Sequence, residues 1–154
     1  MQIYLIRHAS AEDTAPDRLR RLSKRGREQV RALAKFLRRS DLFAPGEIWH
    51  STLVRAQETA ALLSVDLKLK VPLREMADLE PGDDPHRIAR QLATSSRSIA
   101  VVGHEPHLSA LATLLVNGAP EPVRFVMKKG AVLALEDAGP QWAVCWHICP
   151  ALIE

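Results

Sequence analysis

Apolar positions follow two rhythms along this chain: short, nearly continuous runs, and residues spaced three and four apart. Met1 to Ile6 is a β-rich apolar run that stops abruptly at Arg7 and His8, the pattern of a strand buried on both faces. From Ser23, an N-cap by residue type, Val30, Leu33, Ala34 and Leu37 recur at helical spacing as far as the Asp41 to Gly46 loop. Glu47 to His50 predicts a short strand, and Leu53, Ala56, Ala60 and Leu63 mark one face of a second helix. Val65 to Val71 reads as a further short strand, followed by a loop punctuated by Pro72, Pro81, Gly82 and Pro85. Asp84 before Pro85 predicts a helix start, with Ile88 and Leu92 facing inward. Ser98 to Gly103 is a second strongly apolar run, ending at His104. Pro106 restarts a helix with the stripe Leu108, Leu111, Ala112 and Leu115, which Asn117-Gly118 stops. Val123 to Met127, Ala131 to Glu136 and Trp142 to Ile148 read as three closing strands.

Strands alternating with helices predict an α/β fold, a three-layer α/β/α sandwich whose mostly parallel sheet is covered by helices on both faces. With 154 residues and no repeat or linker, residues 1–154 read as a single domain. A chain of this length buries roughly 70% of its unfolded surface. Its 47% hydrophobic and 25% charged residues exclude the disordered and membrane classes. The apolar N-terminal run is too short for a signal-peptide core or a membrane span, so a cytoplasmic protein is expected.

Cys145 and Cys149 lie in one extended segment, and at about 3.3 Å per residue they stand too far apart for a disulfide. They are expected as free, small buried hydrophobes. On a strand they would share a face with His147, but one strand lacks the separated ligand pairs of a zinc site, so no metal is expected. The net charge is only +3, yet ten of the 21 Lys and Arg residues fall between Arg18 and Arg39. That clustering favours an acidic partner or substrate over a neutral one. With one Tyr, three Phe and three Trp there is no basic-aromatic stacking pattern, which argues against nucleic acid.

Two apolar strands end in a histidine, at Arg7-His8-Ala9 and at Gly103-His104-Glu105. Strand carboxyl ends are where open α/β sheets gather ligands. Arg55 falls in the first turn of the helix after the 47–50 strand, where free backbone N–H groups and the helix dipole favour anions. Two imidazoles and two guanidiniums therefore converge on one cleft.

The motifs Arg7-His8-Ala9, Leu22-Ser23-Lys-Arg-Gly26, Arg55-Ala-Gln-Glu-Thr59-Ala60, Pro81-Gly-Asp-Asp-Pro85 and Val102-Gly-His104-Glu-Pro106 span nearly the whole chain. Together they resemble the histidine phosphatase superfamily, and within it the short SixA-type phosphohistidine phosphatases. The resemblance implies a phosphoglycerate mutase-like fold and a cofactor-free hydrolase. It makes His8 the nucleophile and Arg7, Arg55 and His104 the phosphate pocket. A dianionic phosphoryl group accepts an attacking imidazole only if fixed donors hold its oxygens, and arginine supplies a permanent planar fork. His104, if protonated beside the phosphate, would add a further donor, whereas His8 must keep an unprotonated ring nitrogen for in-line attack, so with phosphate bound the two histidines need different protonation states.

Arg20 and Ser51 are further substrate-binding candidates, whereas Lys128 and Lys129 read as exposed turn residues. Relatives that cleave phosphate esters use an acid in the loop after the third strand; Glu75, Asp78 and Glu80 are the candidates here, the last two favoured by their nearness to the Pro-Gly-Asp-Asp-Pro turn. The expected substrate is a phosphorylated protein, such as a histidine phosphorelay domain. A small phosphate ester or nucleotide is the alternative, and a noncatalytic phosphate-binding module stands behind both.

Overall fold

The computed structural model describes residues 1–154. Six strands form one sheet: β1 (Gln2–Arg7), β2 (Glu47–His50), β3 (Leu73–Glu75), β4 (Ile99–Gly103), β5 (Val132–Asp137) and β6 (Trp142–Ile148). Four helices accompany them: α1 (Lys24–Ser40), α2 (Val54–Asp66), α3 (Pro85–Ala93) and α4 (His107–Asn117). The sheet order is β3-β2-β4-β1-β5-β6. The first four strands of that order run parallel, while β5 and β6 are antiparallel additions beside β1.

The period-2 geometry of β1 divides its side chains between two cores. Tyr4 and Ile6 join Val30, Leu33 and Leu37 of α1 and Ala56, Ala60 and Leu63 of α2. Ile3 and Leu5 join Ile88 and Leu92 of α3 and Leu108 and Leu111 of α4 on the other face. Each fully buried aliphatic side chain contributes about 1.5–3 kcal/mol, so this central strand is fixed from both sides.

The helix ends follow their sequence signals. Ser23 Oγ accepts from Gly26 N–H at 3.0 Å, Asp84 Oδ1 accepts from His86 N–H at 3.0 Å, and Gly118 closes α4 in the left-handed region at φ 85°.

Three sequence expectations are corrected. Val65 to Val71 is not a strand: α2 continues to Asp66, and the third strand is Leu73–Glu75. The Leu67, Lys68 and Leu69 amides donate to Leu63, Val65 and Ser64 carbonyls, so they close the helix and are unavailable to a sheet. Leu67, Leu69 and Val71 still pack against the core, which explains the apolar pattern. Val123 to Met127 is also irregular. Both sides of β1 are already taken by β4 and β5, and this segment's polar groups go elsewhere, Arg124 N–H to Thr113 Oγ1 at 3.1 Å and Met127 C=O to Arg7. Finally, the cysteines are not buried: Cys145 is exposed and Cys149 half-buried. The β5–β6 register jumps from Ala134↔Trp146 to Leu135↔Val144, leaving Cys145 as the extra residue of a bulge.

No helix is long and apolar enough to cross a membrane.

Candidate active site

The parallel register of β1 and β4 aligns Arg7 with Gly103, which makes His8 and His104 neighbours one residue beyond the paired strands. His8 N–H donates to Gly103 C=O at 3.0 Å, and Ser51 N–H donates to Val102 C=O at 3.2 Å. Three adjacent strand ends thus deliver His8, His104 and Ser51 to one edge of the sheet. The two imidazole rings stand 5.0 Å apart at 46°, and both are buried.

His8 is oriented by its own backbone. Its Nδ1 lies 2.7 Å from the Ala9 carbonyl, an acceptor that requires Nδ1 to carry the proton, so the lone pair of neutral His8 sits on Nε2. The turn behind it is held by side chains from both covering helices. Ala9 N–H donates to Thr59 Oγ1 at 3.1 Å, and Thr59 in turn donates to Arg55 C=O at 2.7 Å. Ser10 N–H donates to Gln29 Oε1 at 2.9 Å. The function of Thr59 within the Arg55 motif is therefore to fix the backbone beside His8.

Burial, chiefly, and then the neighbouring positive charges keep both rings neutral. His8 is lowered to about 4 by loss of solvent, opposed by the Ala9 carbonyl and reinforced by Arg55, Arg7 and Lys129. His104 is lowered to about 3 by burial first, then by His8 and Arg55. Burial thus holds both rings in the neutral form. This has a consequence for stability. The unfolded chain takes up protons on these histidines near pH 6.5, whereas the folded protein does not until about pH 4 and about pH 3. Between those limits the unfolded state binds more protons, so stability rises with pH and is lost on acidification. The urea midpoint should fall from pH 7 to pH 4.5, and fall less in His104→Asn; equal falls in both proteins would contradict the burial of a neutral His104.

Arg7, the last residue of β1, donates from Nη1 to Met127 C=O at 2.8 Å. Arg55, in the first turn of α2, is 6% exposed and donates to Asp17 C=O at 3.0 Å and to Asp17 Oδ2 at 3.4 Å. Asp17 also accepts from Arg20 at 3.2 Å, and this arginine, then Arg55, holds its carboxyl below the ordinary range. Asp17 is the site residue that the sequence reading missed. Its signal was an acid three residues before Arg20 in a Pro16-initiated turn. Arg20 itself donates to Glu12 C=O at 2.7 Å, bracing the same loop. Ser51 is wholly buried; its Oγ shares a 2.5 Å hydrogen bond with His104 Nε2, so its contact is with the histidine.

The three acid candidates separate. Glu80 Oε1 accepts from Thr52 Oγ1 at 2.7 Å and from Arg18 at 3.2 Å, which ties it to the loop beside Ser51. Asp78 faces α3, accepting from Gln91 at 3.3 Å with Arg87 at 3.7 Å. Glu75 lies exposed on the edge strand β3, opposite His50.

A parallel-rich sheet sandwiched by helices, with paired histidines and arginines at its carboxyl edge, is the architecture of the phosphoglycerate mutase-like fold. Solved structures share it. The protein histidine phosphatase SixA complexed with tungstate superposes with a TM-score of 0.88 at 23% identity over 100% of both chains. The alpha-ribazole phosphatase from Shigella flexneri gives 0.75 at 20% identity over 94% of each chain. The mycobacterial glucosyl-3-phosphoglycerate phosphatase complexed with VO3 gives 0.69 at 18% identity, over 94% of this chain and 97% of that one. The chain belongs to the histidine phosphatase superfamily, whose branch 1 family model matches residues 3–80. No curated protein matches it by sequence.

Proposed function

We propose that this protein is a phosphatase that takes the phosphoryl group of a phosphohistidine on a protein and passes it through Nε2 of His8 to water. The observation that carries the reading is the bond between His8 Nδ1 and the Ala9 carbonyl. It presents a neutral ring whose free lone pair is on Nε2, beside Arg7, Arg55 and His104.

In the first step Nε2 attacks phosphorus and the bond to the leaving imidazole breaks; that imidazole, already protonated on its other ring nitrogen, departs neutral, and the nitrogen released keeps the electron pair of the broken bond. The phosphorylated His8 keeps its Nδ1 proton, and the Ala9 carbonyl supports the resulting positive ring. Water then attacks the same phosphorus, loses a proton to solvent or phosphate, and returns His8 to its starting tautomer. Arg7 and Arg55 hold the equatorial oxygens, with Arg55 exchanging Asp17 for the phosphoryl group. His104, neutral in the free site, gains a proton more easily once the dianion sits beside it.

Phosphohistidine is favoured by the carboxylates around the site. An alkoxide leaving group needs a proton donor, whereas an imidazole with a pKa of about 6.5 leaves neutral near physiological pH. Asp17 and Glu80 both act as acceptors here, from Arg20 and Arg55 and from Thr52 and Arg18. The second reading, a small phosphate ester as substrate, draws on the position of Glu80, bonded to Thr52 on the loop next to Ser51. Purified protein supplied with a chelator should cleave phosphohistidine with a higher kcat/KM than an alkyl phosphate. Glu80→Gln should cost less on the first than on the second. A preference for the alkyl ester, with Glu80→Gln damaging it by about 10²-fold, would transfer the assignment to the small-molecule reading. Loss of all activity with the chelator would remove the metal-free mechanism.

A further inference from the structure

The sequence places the positive charge in residues 18–39, but the fold neutralises the part of it next to the site. Arg18 pairs with Glu80, Arg20 with Asp17 and Arg21 with Glu58, each at 3.2 Å. Two cations beside the site, on the turn that leads into β5, have no carboxylate partner. Lys128 and Lys129 are exposed, and neither takes part in any ion pair of the protein.

Their backbone is not loose. Gly130 N–H donates to both the Arg7 and the His8 carbonyls, at 3.1 and 3.2 Å, and Ala131 N–H closes the turn on Lys128 C=O at 2.9 Å. The two lysines are therefore carried on a turn stitched to the catalytic strand end, and the charge of Lys129 is felt at the His8 ring. They form one wall of a groove of about 450 Å³ that begins at Arg7 and runs to Arg25 at the start of α1. Arg25 already holds the Glu154 side chain at 2.6 Å, so the far wall takes a carboxylate in the resting protein.

We propose that this groove is a docking subsite for acidic side chains flanking the phosphohistidine of a protein substrate, read by Lys128 and Lys129. The inference rests on the phosphohistidine reading above and adds to it a sequence preference. A protein surface fits better than a small molecule because the lysines are solvent-facing and the groove lies open at the surface, whereas small ligands are buried in enclosed pockets. Charges at such a rim steer encounter and set partner preference, and they are screened by salt.

The test compares two phosphohistidine peptides of equal length, one flanked by Glu and Asp, the other by Gln and Asn. Wild type should prefer the acidic peptide by about tenfold in kcat/KM at low salt, the size expected for two exposed charge pairs. The double variant Lys128→Gln, Lys129→Gln should bring that ratio near one, and Lys129→Glu should invert it. Added salt should shrink the wild-type preference. No preference in wild type, or one that survives both variants, overturns the subsite while leaving the phosphohistidine reading in place. A wild type that hydrolyses an aryl phosphate and neither peptide overturns the phosphohistidine reading, and this inference with it.

Discussion

His8→Ala should abolish turnover, with kcat/KM falling by about 10⁴-fold or more on every phosphorylated substrate. The argument is that no other side chain stands where a nucleophile is needed. Ser51 is wholly buried and bonded to His104, and His104 has its Nε2 engaged by that same serine. Removing the nucleophile leaves only whatever rate the anion-binding groups give to direct attack by water. Binding should survive, because Arg7 and Arg55 do not depend on the His8 ring for their positions: one is tied to Met127 and the other to Asp17. Tungstate should therefore bind the variant with a Kd within about tenfold of wild type, while rapid quenching finds a phosphorylated residue only in the wild type. Retained turnover, or a quenched intermediate on a residue other than His8, would sink the covalent mechanism.

Gly26→Ala should be the most damaging single-methyl change in the chain. A Cβ at residue 26 would come 1.9 Å from the Ser10 carbonyl oxygen and 2.9 Å from its carbon. That carbonyl cannot turn away, since it accepts from Ser23 N–H at 3.0 Å and from Ser23 Oγ at 3.2 Å. Helix α1 must lift instead, which strains the Ser23 cap and the Gln29 bond to Ser10. Overpacking against backbone together with two weakened hydrogen bonds costs about 3 kcal/mol or more. For a domain of this size Tm should drop by about 6–12 °C. Because Ser10 is two residues from His8, kcat/KM should fall in the same variant. Gly82→Ala, where an added methyl meets nothing within 4 Å, serves as the neutral comparison. A Gly26→Ala protein with wild-type Tm would show that the helix accommodates the methyl without moving.

The same glycine illustrates what a sequence discloses and what it withholds. Leu22-Ser23-Lys-Arg-Gly26 was readable as a helix start because a cap is a local affair of three residues. Its second job, letting α1 press against the backbone after His8, depends on a contact between residues 10 and 26 that no periodicity encodes. The strands β1, β2 and β4 were legible because burial on both faces leaves an unbroken apolar run. Val65 to Val71 carried nearly the same apolar signal while its amides were spent on the end of α2, and periodicity does not record where a hydrogen bond goes. Similarly, both histidines and both arginines were visible at strand and helix ends, but Asp17 was not. Its importance comes from a loop folding back 38 residues in sequence to meet Arg55. The charge pattern misled for the same reason, since composition cannot tell a paired arginine from an unpaired lysine.

The Asp17–Arg55 contact also bears on how a catalytic cycle would end. Inorganic phosphate, the product, is itself a strong ligand for guanidinium groups, and a pocket of permanently free cations would retain it. Here a carboxylate on the adjoining loop stands ready to reclaim Arg55 at 3.4 Å. Every anion entering the pocket competes with that internal rival, and every anion leaving it is replaced by the same rival. On the phosphatase reading, that exchange would set a weakly held anion at a disadvantage and ease the departure of the product.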